Sequence, residues 1–133
     1  MVAVSAFASK LMLDFTTGAA TATQPSFRYV SLAVGTPGTG DNAASEMGSL
    51  TGYLRQTCLF GAAASPAGSA SNTASMVFGP FSSVGSILGA HLWNGSPINS
   101  SNMLWLGTLA TARTVGIGDS LVFAAGALNI TLT

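Results

Sequence analysis

The sequence predicts an all-β protein, an antiparallel β-sandwich or jelly roll of about seven or eight short strands with one N-terminal helix. Short runs of alternating apolar residues recur along most of the 133 residues, and turn signals such as Asn94-Gly95 separate them. Helical periodicity, by contrast, is convincing only near the N-terminus. A closed barrel is the alternative arrangement, and the pattern leaves the order of the strands open.

The N-terminal segment 4–15 is the predicted helix. Apolar side chains repeat there at helical spacing, Ser5 is a suitable N-cap, and Gly18 with the small residues after it ends the helix. About three helical turns are marginal alone, so the helix must pack against its own β domain or against a neighbouring subunit. We therefore divide the chain into a helical arm and connector, residues 1–24, and a β-sandwich domain, residues 25–133. The predicted interface residues on the arm are Val4, Phe7, Leu11 and Phe15.

Strand signals occupy most of the remaining chain. In the first strand, one face carries the predicted core side chains. These are Val30, Leu32 and Val34, with Arg28 on the same face near the solvent-exposed end of the strand. Residues 61–75 are rich in small side chains and predict a long loop or a weak edge strand. The predicted strands are 27–34, 50–60, 75–78, 87–93, 103–109, 120–123 and 128–133.

The residues predict no catalytic, cofactor-binding or metal-binding site, and hence a protein that is not an enzyme. Cys58 is the single cysteine and lies in an apolar strand, which favours a small buried side chain over a nucleophile. His91 lies in the middle of a strand, where a hydrogen-bonded buried histidine is expected. The Gly-rich segment 35–49 lacks the lysine of a P-loop and the ligand spacing of a calcium loop. The four acidic residues are scattered rather than paired as in a glycoside hydrolase.

Charged residues make up 6% of the chain, with a formal net charge of zero, against about 25% in ordinary soluble domains. Four scattered cations cannot form a phosphate-binding patch, so we predict no nucleic-acid partner. No stretch approaches the about 20 apolar residues of a spanning helix, and the N-terminus lacks the basic region of a signal peptide, so no membrane partner is predicted either. We expect no small-molecule substrate. A surface so poor in charge predicts that neighbouring molecules cover much of it, in an oligomer or a larger shell.

Six segments carry a family resemblance. They are R-Y-V-S-L-A-V-G-T-P (28–37), G-Y-L-R-Q-T (52–57), A-S-N-T-A-S-M-V-F-G-P-F (70–81), G-A-H-L-W-N (89–94), N-M-L-W-L-G-T-L (102–109) and G-D-S-L-V-F-A-A-G-A-L-N-I-T-L (118–132). Together they resemble a group of small tailed-bacteriophage virion proteins that are labelled tail fibre proteins and are also similar to capsid decoration proteins. The resemblance implies a non-enzymatic, usually multimeric virion component with a β-sandwich or jelly-roll core.

The leading functional hypothesis is a capsid decoration, or cement, protein on the outer capsid surface of the virion. It would act as a homo-oligomer, with a trimer favoured over a dimer, that bridges and stabilises subunits of the major capsid protein, with the N-terminal helix as its arm. The alternative is a small tail fibre or tail adaptor protein involved in host-surface binding. In that case Trp93 and Trp105 would be available for carbohydrate, although both are expected in the core.

Overall fold

The computed structural model describes residues 2–21, 24–25, 28–35, 46–47, 52–64, 68–95 and 102–131. Within these ranges it contains one helix and nine strands, all paired antiparallel. The prediction of an all-β protein with one N-terminal helix is therefore confirmed, whereas the jelly-roll arrangement stays a prediction. The elements are β1 (Val2–Val4), α1 (Ala6–Thr17), β2 (Tyr29–Ala33), β3 (Gln56–Thr57), β4 (Ser69–Ser71), β5 (Met76–Phe78), β6 (Gly85–Trp93), β7 (Met103–Val115), β8 (Leu121–Phe123) and β9 (Asn129–Thr131).

A five-stranded sheet in the order β1-β7-β6-β2-β3 forms the centre of the described structure. Two ribbons accompany it, one of β4 with β9 and one of β5 with β8. The predicted strands around β2, β5, β6, β8 and β9 are present, and the small-residue segment 61–75 contributes the short strand β4. The antiparallel pairs bring segments from both ends of the chain into one sheet.

The main core lies on one face of this sheet. Val30 and Leu32 of β2 are fully buried there and pack with Phe78, Phe81 and Ile87. The predicted core face of the first strand is thus confirmed for Val30 and Leu32. It is wrong for Val34, which is 41% exposed because β2 ends at Ala33.

The opposite face of the sheet is also covered. It carries a smaller buried cluster of Trp93, Met103 and Leu106, with Tyr29 packed against it. Ser31 and Ala33 are buried on this side as well, because β2 is an inner strand between β6 and β3. An alternating sequence pattern cannot reveal that both faces of a strand are covered.

Strand β7 is longer than the predicted strand 103–109. Its first part, up to Thr108, pairs with β6 with one register shift at Leu104, and pairing resumes at Arg113 opposite Ile87. The residues between them bulge opposite Leu88. The second part of β7 escaped prediction because its side chains from 110 to 114 are exposed and show no apolar alternation.

Candidate functional site

Helix α1 forms one wall of the candidate site and has a defined cap residue at each end. Ser5 is the N-cap, as predicted: its hydroxyl accepts a hydrogen bond from the amide of Ala8 at 3.0 Å and donates one to the carbonyl of Met103 in β7. Gly18 ends the helix in the left-handed conformation, with φ of 67°. The helix begins at Ala6 rather than at Val4, because the residues before Ser5 form β1 and pair with β7.

A groove of about 510 Å³ lies between α1 and the β domain. Its walls come from the helix, from the 60–63 and 68–70 segments and from the middle strands of the sheet. Most of the lining is apolar, and Trp105 is only partly buried within it. We call this cavity the Arg28 groove; among its lining residues are Ala8, Leu11, Arg28, Phe60, Leu104 and Trp105.

Arg28 gives this apolar groove its positive charge. One terminal guanidinium nitrogen, Nη1, donates a 3.3 Å hydrogen bond to the carbonyl of Pro25. The Nε atom is buried and has no hydrogen-bond partner among the described residues. Since a buried N–H without an acceptor costs free energy, this guanidinium is suited to an incoming oxyanion.

The predicted interface residues of the arm occupy three different environments. Val4 and Phe7 are partly buried and pack against the protein's own core. Leu11 lines the Arg28 groove. Phe15 is 75% exposed near the end of the helix. Their role in an interface stays a prediction, as does the division of the chain at residue 24.

A buried polar network lies on the opposite face of the sheet from the main core. Arg55 forms a bidentate ion pair with Glu46: its Nε donates to Oε1 at 2.8 Å and its Nη2 to Oε2 at 2.7 Å. Its guanidinium also stacks over Trp93, 4.0 Å from the ring centroid. The Tyr53 hydroxyl donates to Glu46 Oε1 at 3.2 Å and accepts from the Leu32 amide at 3.0 Å. Burial, with the Glu46 carboxylate next in importance, raises the pKa of Tyr53.

His91 extends this network and is buried, as predicted. A 3.0 Å hydrogen bond joins its Nδ1 to the hydroxyl oxygen of Ser31, which also accepts a 2.8 Å bond from the indole N–H of Trp93. The Nε2 atom is buried without a partner. Burial lowers the pKa of His91, the charge of Arg55 lowers it further, and Glu46 opposes both. The lowered pKa favours the neutral form of His91, and the burial of the network among apolar side chains indicates a structural role.

Comparison with known proteins identifies the kind of protein to which this site belongs. A family model described as podophage GP4 fiber I protein gp80 matches residues 3–131. The chain belongs to this family. No curated protein matches the sequence. The protein is accordingly a bacteriophage virion structural protein, as the sequence resemblance implied, whereas the family match gives no support to a place on the outer capsid surface.

Other residues singled out by the sequence can now be placed in this fibre-family protein. Cys58 is buried, as predicted, and burial raises the pKa of its thiol to about 11. Of the Gly-rich segment, Glu46 belongs to the polar network, while Asp41, Asn42 and Ser45 lie outside the described residues. The described residues contain no cluster of three metal-ligating side chains and no helix long and apolar enough to cross a membrane.

Two features of the fibre-family protein escaped the sequence reasoning. The Glu46–Arg55 pair joins a loop to a strand-flanking segment, and neither residue stands in a motif that indicates a partner. The alternation places Arg28 near the solvent-exposed end of a core strand, but the lack of an acidic partner for it among the described residues shows only in three dimensions. The small number of charged residues is the one sequence signal that points to Glu46, Arg55 and Arg28, because each charge in so apolar a chain calls for a specific explanation.

Proposed function

We propose that this protein is a non-enzymatic component of the tail fibre apparatus of a podophage virion. The observation that carries the proposal is the family match over residues 3–131, since the family's description names a fibre protein. Among the sequence-based hypotheses, the tail fibre alternative therefore replaces the capsid decoration protein as the leading one. A contribution to host-surface binding is part of this proposal.

Surface chemistry supports a role in assembly. The chain carries few charges, and several large apolar side chains are exposed on the described surface, among them Leu13, Phe15, Leu54 and Ile117. A surface this poor in charge is unusual for a free monomer, and the exposed apolar side chains add to the surface that a partner would cover. Trp93 is buried and stacked under Arg55, so it is not available to a host carbohydrate, while Trp105 retains some exposure in the Arg28 groove.

The position of the protein in the virion tests the proposal. We expect antibodies against the folded protein, visualised with gold particles by electron microscopy, to label the tail of intact virions. The copy number should follow the symmetry of the tail rather than the number of major capsid subunits. Labelling spread over the capsid faces, in a copy number matching the capsid subunits, would instead identify a decoration protein.

A phage deletion mutant gives an independent measurement. If the protein belongs to a tail fibre, particles that lack it should retain DNA-filled capsids of normal heat stability and lose adsorption to host cells. Loss of capsid stability with normal adsorption would contradict the proposal.

A further inference from the structure

Four of the seven charged side chains within the described ranges form ion pairs, which makes the other three informative. The described structure contains two ion pairs, Lys10–Asp14 on the exposed side of α1 and the buried Glu46–Arg55 pair. Arg28, Arg113 and Asp119 form no ion pair within the described ranges. Arg28 and Asp119, which carry opposite charges, lie beside apolar surface.

The positive member is Arg28, in the groove beside α1. Its Nε lacks an acceptor, and the described residues that line the groove include no acid. A carboxylate entering the groove would complete the hydrogen bonding of the guanidinium, and an apolar side chain beside that carboxylate would fit the apolar walls.

The negative member is Asp119, in the turn after β7. We call residues 116–120 the Asp119 turn. Ile117, two residues before the aspartate, is 75% exposed. The turn has a defined shape, because the Gly118 amide donates to the carbonyl of Phe81 at 2.7 Å and the Asp119 carboxylate accepts from the Gly116 amide at 2.7 Å. It thus presents an apolar side chain and a carboxylate together on a fixed backbone.

The two features lie near opposite ends of the same strand. Arg28 precedes Tyr29, which pairs with Trp93 at the end of β6. The Asp119 turn follows Val115, which pairs with Gly85 at the start of β6. The eight residue steps between Gly85 and Trp93 span roughly 25 Å at the rise of an extended strand. Arg28 and Asp119 of one copy are therefore too far apart to pair with each other.

We propose that the Asp119 turn of one copy docks into the Arg28 groove of a second copy. Ile117 enters the apolar part of the groove, and the Asp119 carboxylate pairs with the Arg28 guanidinium. A second copy is the occupant to which the charges point, because each copy carries both the unpaired cation in an apolar groove and the unpaired anion on an apolar turn. Copies that make this contact in one direction form a closed ring or a filament, and two copies that make it reciprocally form a two-fold dimer.

Charge reversal tests this contact in purified protein, and the test does not depend on where the protein sits in the virion. Sedimentation velocity of the wild type should show concentration-dependent assembly that weakens as salt is added. Arg28→Asp and Asp119→Arg should each weaken association by at least about tenfold, since each places like charges in the contact. An equimolar mixture of the two variants should assemble again, because both contacts between unlike copies join opposite charges.

Two further variants keep the test specific. Arg113→Asp makes the same charge change on an exposed residue outside the groove and should leave assembly as in the wild type. Ile117→Ser alters only an exposed side chain, so it should weaken assembly with no loss of thermal stability. A monomeric wild type at high concentration, unchanged assembly of the charge-reversal variants, or a mixture that stays monomeric would each overturn the proposal.

Discussion

The buried Glu46–Arg55 ion pair predicts a large loss of unfolding free energy when one of its two charges is removed. The side chains are 3% and 1% exposed, so neither charge is hydrated. Glu46→Gln removes one charge and leaves the Arg55 guanidinium buried without its counter-ion. Breaking a buried pair in this way costs about 3–5 kcal/mol of unfolding free energy. For a domain of this size we expect a melting temperature lower by roughly 10 °C or more.

A double-mutant cycle isolates the pair itself. Arg55→Met keeps an unbranched side chain over Trp93, and the combined variant with Glu46→Gln buries no charge. We therefore expect the double variant to lose clearly less stability than the sum of the two single variants. Urea unfolding followed by tryptophan fluorescence measures each free energy, since Trp93 lies directly under the guanidinium.

The exposed pair on α1 is the matched control for this cycle. Lys10 is 72% exposed, so Lys10→Gln should change stability by less than about 1 kcal/mol. Strictly additive losses from Glu46→Gln and Arg55→Met, or a loss from Glu46→Gln as small as that of the control, would refute the reasoning.

Three further predictions concern single residues. Burial lowers the pKa of His91, so as the pH falls below about 6.5 the unfolded chain binds a proton on this residue before the folded protein does. The melting temperature should therefore decrease with falling pH in this range. His91→Leu should make the decrease of melting temperature with pH less steep. The Cys58 thiol, with a pKa raised to about 11, should react with a disulfide reagent at mildly alkaline pH only after urea unfolding; rapid reaction of the native protein would contradict its burial. Gly52→Ala places a Cβ 2.1 Å from the carbonyl oxygen of Pro80 at a φ of 87°, so it should lower the melting temperature far more than Gly18→Ala, whose Cβ meets no atom within 4 Å.

The sequence predicted those elements whose pattern is local. Strand β6 alternates and ends at an Asn-Gly turn, so both its position and the burial of His91 could be predicted. The helix was recognised from its spacing and its cap, Ser5. In each case the structure depends on residues that are close together in the sequence, or on the repeat of apolar residues that is typical of a helix or a strand.

The remainder depends on partners that are distant in sequence. Strand β1 is too short for a pattern and exists because β7 lies beside it. The Glu46–Arg55 pair requires a loop and a strand-flanking segment to meet, which no spacing rule describes. The Arg28 groove likewise arises only where α1 crosses the β domain. Its residue types were visible in the sequence, but their convergence was not.

The pairing of β1 with β7 has a consequence for how the chain acquires its structure. The hydrogen bond from Ser5 to Met103 joins positions 98 residues apart, so the segment around Ser5 cannot dock until the segment around Met103 has been synthesised. Contacts of such high sequence separation slow folding, because a long loop must close before they form. We expect the arm and its groove to be completed late, after the central strands have paired. Newly made chains would then become competent for assembly only after β7 has been synthesised and paired with β1, which delays contact between partly folded copies.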